Sequence, residues 1–157
     1  MGLDMYLSRK TYVQNWEHTK PEDRISIELS GNTKGIDPDK ISYIIESVGY
    51  WRKANAIHGW IVDQCAGGLD QCQQIYVPKQ KLEELYQTCC SILGEESLES
   101  MIEAAFNKLP PTEGFFFGAN EVGEWYKQDL KDTIKILAEV LVETDFAESE
   151  IIYQASW

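Results

Sequence analysis

The sequence has few basic residues and no long hydrophobic run. It contains 14 lysines and arginines against 26 acidic residues, a formal net charge of −12 over 157 residues. So anionic a surface disfavours direct nucleic acid binding, which requires clustered cations. Nowhere do eighteen apolar residues follow one another, and the N-terminus lacks a basic region followed by an apolar run. We therefore expect no membrane span, no signal peptide and a cytoplasmic location.

Catalytic and cofactor motifs are also missing. Only two histidines occur, His18 and His58, and the glycines form neither a dinucleotide-binding fingerprint nor a phosphate-cradling loop. The four cysteines lack the close pairs of a zinc site and are expected to be reduced. We predict no cofactor, no metal and a non-enzymatic role in preference to an enzymatic one. If catalysis occurs, His58 is the natural general base.

The composition is that of an ordinary folded domain. Hydrophobic residues make up 43%, aromatics 11% and charged residues 25% of the chain, a balance that argues against disorder. A chain of this length can bury one sizeable core. No linker, repeat or low-complexity segment divides it, so we predict a single domain over 1–157.

Alternating apolar residues predict strands near both ends of the chain. The pattern occurs at 3–8 and 24–30, which we expect to pair as antiparallel strands, and the C-terminal EIIYQASW is typical of a closing strand. QIYVP at 74–78 favours another short strand. GFFFG at 114–118 suits a buried strand or a loop with an aromatic plug.

Helical spacing of apolar residues follows in the rest of the chain. The first such segment is 38–66, with Asp37 as its predicted N-cap and a glycine pair at its end. Gly49 within it leaves one long helix and a broken pair both open. Further helices are predicted at 78–94, at 97–108 and from a cap at Asn120. The fold class is therefore α+β, a small antiparallel sheet including N- and C-terminal strands with four to five helices packed on it.

Two polar residues fall on the apolar stripe of the predicted helix 38–66. On a helical wheel, Asn55 and His58 lie within roughly 60° of Trp51. Buried polar groups without partners cost about 1–3 kcal/mol each, so both side chains need hydrogen bonds. Those partners come either from a neighbouring loop, which makes the pair structural, or from a bound molecule.

The second alternative predicts a ligand pocket. Arg52 lies on the flank of the stripe, where its guanidinium suits a phosphate or carboxylate. Aromatic side chains would line the walls, and with a few convergent polar groups they suit a nucleotide-like small molecule. The predicted ligand-binding residues are Trp51, Arg52, Asn55, His58, Phe115, Phe116, Trp125 and Tyr126.

A second surface is predicted on the opposite side of the same helix. Trp60 and Lys53 project away from the apolar stripe. Large aromatics on a second helix face are typical of interface anchors. We predict that these residues contribute to an interface between subunits, and that the protein is a homo-oligomer.

Five segments carry a resemblance to a known family. They are MGLDMYL at the N-terminus, VGYWRKANAIHGW at 48–60, GLDQC at 68–72, LPPTEGFFFG at 109–118 and the terminal YQASW. In this order they resemble a family of small proteins from bacteriophages, prophages and bacteria. The resemblance implies the cytoplasm of a phage-infected host as the setting, and it transfers no functional residue.

That setting and the residues together suggest three functions. The favoured one is non-enzymatic anti-defence activity, in which the protein binds and sequesters a nucleotide-derived signal. One alternative is an acidic decoy that inhibits a host nuclease or another nucleic-acid-binding protein by charge complementarity. The other is a hydrolase that acts on such a signal, with His58 as base.

Overall fold

A computed structural model describes residues 2–114 and 117–157, which form four strands and four helices. The strands are β1 (Asp4–Tyr12), β2 (Tyr43–Arg52), β3 (Ile75–Tyr76) and β4 (Ser149–Ser156). The helices are α1 (Asn55–Ala66), α2 (Lys79–Leu93), α3 (Leu98–Lys108) and α4 (Glu124–Glu143). The strands make one antiparallel sheet in the order β2-β1-β4-β3. The predicted α+β class is confirmed.

The two terminal strands lie side by side at the centre of the sheet. Leu3, Met5 and Leu7 are buried while Tyr6 is exposed, so the alternation in the sequence points one face of β1 into the core. β1 pairs with β4 along eight residues and with β2 on its other edge. The predicted sheet including both terminal strands is therefore confirmed.

The segment that precedes α1 is a strand, although its spacing predicted a helix over 38–66. The pairing of β2 with β1 skips Val48, which forms a β-bulge. A bulge shifts the period-two alternation by one residue. It thereby leaves Ile44, Val48 and Trp51 at the spacing of a helix face. Many β-branched and aromatic side chains in YIIESVGYW favour the strand.

Asp37 does cap a helical turn, but the turn is only three residues long. The Asp37 carboxylate accepts a hydrogen bond from Asp39 N at 3.1 Å, with Pro38 in the first position. The resulting 3₁₀ turn, Pro38–Lys40, ends at once because β2 begins at Tyr43. The capping residues therefore indicate that a helical turn begins here, but they do not determine whether a helix continues beyond it.

The strand predicted at 24–30 is also wrong. Both edges of β1 are occupied, by β2 and β4, so no edge of that strand remains for this segment. Instead, the Asn15 side chain takes the place of a partner strand: its Oδ1 accepts from Ile25 N at 3.0 Å and its Nδ2 donates to Ile25 O at 2.7 Å. The alternating Ile25 and Leu29 remain exposed.

The other helices lie close to their predicted positions. α2 and α3 begin after Pro78 and Ser97, and Ser97 Oγ accepts from Ser100 N at 3.1 Å. α4 begins later than predicted, with Gly123 as N-cap in place of Asn120. No helix within the described residues is both long and apolar enough to cross a lipid bilayer.

α4 packs against β2 and α2 over the buried face of the sheet. Its approach to β2 depends on Gly49, where a Cβ atom would lie 2.6 Å from Ile136 Cγ2. Such a distance is too short for two carbon atoms. The glycine therefore allows α4 to pack closely against β2 at Ile136.

Candidate functional site

A tight corner joins β2 to α1. Lys53 adopts a left-handed conformation with φ 60°, which is uncommon for a residue with a side chain. Its backbone N–H donates to Leu3 O at 2.7 Å, and Asn55 N donates to Lys53 O at 2.9 Å. This second bond closes an inverse γ-turn at Ala54, with φ −76° and ψ 67°. The chain thus reverses within three residues, immediately after Arg52.

The connection that leads into α4 packs on this corner. Gly118 has φ 97°, and a Cβ atom there would lie 3.2 Å from Lys53 Cβ. Both the backbone conformation and the close approach therefore favour glycine at this position.

Asn55 ties the same connection to α1. Its Nδ2 donates to Phe117 O at 3.2 Å and to Ala119 O at 2.9 Å, while its Oδ1 accepts from Thr112 N at 2.9 Å. The side chain is 5% exposed. Backbone atoms therefore satisfy this buried amide, so Asn55 positions the surrounding chain and keeps little capacity to bind a ligand.

A cavity of about 500 Å³ lies between the corner, the connection and α4. Its volume is within the range of small-molecule sites. We call it the corner cavity. Its lining residues are Arg52, Lys53, Asn55, Ala56, Gly118, Ala119, Glu121, Gly123, Trp125, Tyr126 and Asp129.

Two cationic side chains line the corner side of the cavity. Arg52 is 61% exposed, and its Nε lies 3.9 Å from Asp4 Oδ1, which already accepts a hydrogen bond from Tyr50 OH at 2.5 Å. An exposed ion pair of that length is worth at most about 1 kcal/mol. The Arg52 guanidinium and the Lys53 ammonium therefore remain able to turn toward an anion in the cavity.

First-turn residues of α1 and α4 line the same cavity. The N-caps of these helices, Ala54 and Gly123, provide no side-chain hydrogen bond. Backbone N–H groups at a helix start carry partial positive charge and favour anions. Together with Arg52 and Lys53, they favour an anion on the corner side of the cavity, while Glu121 and Asp129 contribute carboxyls to the same lining.

α4 contributes an exposed indole and a half-buried carboxyl. Trp125 is 78% exposed although it lines the cavity. Burial, together with a smaller contribution from the nearby Asp132 carboxylate, raises the pKa of Asp129 from 3.8 to about 7. No hydrogen bond to the Asp129 carboxyl occurs within residues 2–114 and 117–157. This side chain is thus half protonated near neutrality.

Tyr126 is a structural part of the wall. It is 5% exposed, and its hydroxyl donates to Leu109 O at 2.7 Å. Burial raises the pKa of this phenol, so it stays protonated at neutral pH. Its ring position is set by that hydrogen bond and by the core, not by a ligand.

His58 lies outside the cavity in a closed set of hydrogen bonds. Its Nε2 lies 2.9 Å from Asp70 Oδ2 and its Nδ1 lies 2.7 Å from Tyr153 OH. Because a carboxylate only accepts, Nε2 carries a proton and donates to Asp70 Oδ2, while Nδ1 shares a hydrogen bond with the Tyr153 hydroxyl. Trp157 Nε1 donates to the second Asp70 oxygen at 3.2 Å. We call these four residues the His58 network.

Trp51 lies in the core, 4% exposed, and its Nε1 donates to Thr133 Oγ1 at 2.9 Å. The structure therefore brings four of the predicted ligand-binding residues to the cavity and places Trp51 and His58 elsewhere. Those four are Arg52, Asn55, Trp125 and Tyr126. Phe115 and Phe116 lie outside the described residues.

Trp60 and Lys53, predicted to share an interface, point to different places. Lys53 lines the corner cavity. Trp60 is half-buried against the core and borders a shallow groove between α1, α2 and Lys108. Part of the surface predicted for a partner is thus covered by this chain's own helices, and the homo-oligomer stays a prediction.

Asp129 is one of the lining residues that sequence reasoning missed. A signal for it was present, because it follows Trp125 by four positions and Tyr126 by three, which puts all three side chains on neighbouring parts of one helix face. Burial, which sets the pKa of Asp129, depends on packing that the spacing does not reveal.

Comparison with known proteins adds no functional information. The chain matches no protein-family model, no curated protein and no solved structure. Among the described residues, no group of three or more His, Cys, Asp or Glu side chains is placed to hold a metal ion.

Proposed function

We propose that the protein binds a nucleotide-derived small molecule in the corner cavity and holds it unchanged, which sequesters a defence signal in a phage-infected cell. The observation that carries the proposal is a cationic wall and an exposed indole in one cavity of about 500 Å³. The phage setting rests on the family resemblance of the sequence motifs.

The cationic wall supports the phosphate half of such a ligand. Arg52 can donate two parallel hydrogen bonds to phosphate oxygens, and Lys53 adds a point charge. The first-turn N–H groups of α1 and α4 favour the same anion. Charge-assisted hydrogen bonds of this kind contribute about 1.5–3 kcal/mol each.

Trp125 supports the base half. Stacking of a nucleobase on an aromatic side chain contributes about 1–3 kcal/mol. An indole that is 78% exposed in the free protein leaves its ring available to a ligand. A phosphate without a base would leave this contact unmade, so the site fits a nucleotide better than an inorganic anion.

His58 does not support the hydrolase alternative. It is 1% exposed, and both ring nitrogens are engaged by Asp70 and Tyr153. A general base must reach the proton that it removes, directly or through one water molecule. We therefore propose binding without turnover.

Isothermal titration of the purified protein with mononucleotides, cyclic mononucleotides and cyclic dinucleotides tests the proposal. We expect at least one of them to bind. Arg52→Ala should weaken that binding about tenfold or more, with little change in melting temperature, because the lost side chain is exposed and weakly paired. A bound ligand at 100 times its Kd should stabilise the wild type by about 2.7 kcal/mol.

Arg24→Ala is the matched control. It removes the same side chain from the exposed excursion between β1 and β2, where Arg24 Nε donates to Thr19 O and lies outside the corner cavity. Its affinity should equal that of the wild type. Absence of binding by all nucleotide classes to the folded protein would refute the proposal, as would release of a chemically converted ligand.

A further inference from the structure

The cavity face of α4 holds an unpaired carboxyl one turn from the indole. Trp125 and Asp129 both line the cavity and are four residues apart, which places their Cβ atoms about 6 Å from each other. A base stacked against Trp125 would therefore present its edge near the Asp129 carboxyl. That juxtaposition carries the inference below, which rests on the proposed function.

We propose that Asp129 selects the base of the ligand, and that the base is guanine. A carboxylate has two oxygens that accept hydrogen bonds in parallel. Guanine presents two adjacent donors on its pairing edge, N1–H and the 2-amino group. Adenine, cytosine and uracil each place an acceptor beside their donor, so they cannot make the same pair of bonds.

The surroundings of the carboxyl suit this role. Asp132 lies one turn further along α4 and repels a second negative charge, while Glu121 contributes another carboxyl from the connection. Arg52 and Lys53 contribute positive charge from the corner. Burial, with a smaller contribution from Asp132, raises the pKa of the half-buried Asp129 to about 7, and a bound guanine would stabilise its ionised form by donating to it.

Guanine recognition should therefore depend on pH. The bidentate pair requires the carboxylate, which is mostly protonated at pH 6 and mostly ionised at pH 8. Affinity should be about tenfold weaker at pH 6 than at pH 8, since each pH unit on the acid side of the pKa lowers the ionised fraction about tenfold.

Titration with three cyclic 3′,5′-mononucleotides tests the assignment, because their phosphodiester does not titrate between pH 6 and 8. Cyclic GMP should bind about tenfold tighter than cyclic IMP, which lacks the 2-amino donor, and about a hundredfold tighter than cyclic AMP. Asp129→Asn should abolish both the preference for cyclic GMP and its pH dependence.

Asp132→Asn is the matched control. It makes the same substitution one helical turn away at a residue that does not line the cavity, and it should keep the order of the three ligands. The stability of each variant is followed by thermal unfolding, so a folding defect is not mistaken for a loss of recognition.

The outcomes separate this inference from the proposed function. Equal affinity for the three ligands, or tighter binding of cyclic AMP, overturns the guanine assignment and leaves nucleotide binding intact. A guanine preference that survives Asp129→Asn overturns the role of Asp129. Absence of binding by all three at pH 8 overturns the guanine assignment, and the proposed function fails with it only if linear mononucleotides and cyclic dinucleotides do not bind either.

Discussion

The His58 network and the corner cavity both include residues from the start of α1, and they differ in whether their polar groups have partners within the chain. In the network, both imidazole nitrogens and both Asp70 oxygens have partners within the chain. In the cavity, the Asp129 carboxyl has no hydrogen-bond partner among the described residues, and the Arg52 side chain is 61% exposed. Both regions are rich in polar and aromatic side chains, so composition does not distinguish them.

The difference teaches how to separate a structural polar cluster from a binding site. Buried polar groups need partners, and where the chain supplies all of them no ligand is required. Groups that line a cavity without such partners retain the capacity to bind something else. We therefore expect substitutions in the network to affect stability, and substitutions in the cavity to affect binding.

His58→Ala should have the largest effect on stability. The substitution leaves a void and removes the partners of Tyr153 OH, which is fully buried, and of Asp70. We expect a loss of about 3–5 kcal/mol in the free energy of unfolding. Chemical denaturation measures it. A loss below about 1 kcal/mol would show that the His58 network contributes no more to stability than the cavity residues do.

Asn55→Ala should have a smaller effect on stability and also reduce binding. It leaves Phe117 O, Ala119 O and Thr112 N without their side-chain partner and releases the connection that forms one cavity wall. We expect a loss of about 2–3 kcal/mol by chemical denaturation. Unchanged stability, like that expected for Arg52→Ala, would show that Asn55 is not needed for folding and that its role is in the cavity.

Asp129→Asn should raise stability slightly, and only at high pH. The folded-state pKa of about 7 lies above the unfolded value near 3.8, so folding favours the protonated form. The stability that the protonated carboxyl contributes is therefore fully present below about pH 4, and it is lost as the pH rises toward 7. Solvent screening weakens the effect, and we expect the variant to melt about 2–4 °C above the wild type at pH 8.

Scanning calorimetry at pH 5 and pH 8 measures this difference. The gap between variant and wild type should be wider at pH 8 than at pH 5, where much of the wild-type carboxyl is already protonated. A variant that melts below the wild type at both pH values would show that the carboxyl has a stabilising partner, and the cavity would then resemble the network.

Prediction of the fold from sequence succeeded where neighbouring residues decide the outcome. The alternation in β1 and β4, the 3.6-residue spacing of α2 and the position of α3 each reflect local geometry. It failed in β2, where a bulge at Val48 reproduced the spacing of a helix. The partner strand that creates a bulge lies more than thirty residues away in the sequence.

Some of the residues predicted to share a pocket do line one cavity, and others do not, for a related reason. Arg52 was placed beside aromatic residues of α4 on chemical grounds, and both line the cavity. His58 and Trp51 share a face only on a helical wheel, and such a wheel does not describe a segment that contains a strand and a corner. Once Trp51 belongs to β2, its angular relation to His58 on α1 carries no meaning.

The sequence by itself determined the class of fold, the pairing of the chain's two ends and the types of residue that could bind a nucleotide. These follow from short-range periodicity and from side-chain chemistry. Only the tertiary structure decided which polar groups are satisfied and which face a cavity. His58 and its hydrogen-bond partner Tyr153 are distant in the chain and meet only through packing. The same is true of Arg52 and Asp129, which line one cavity.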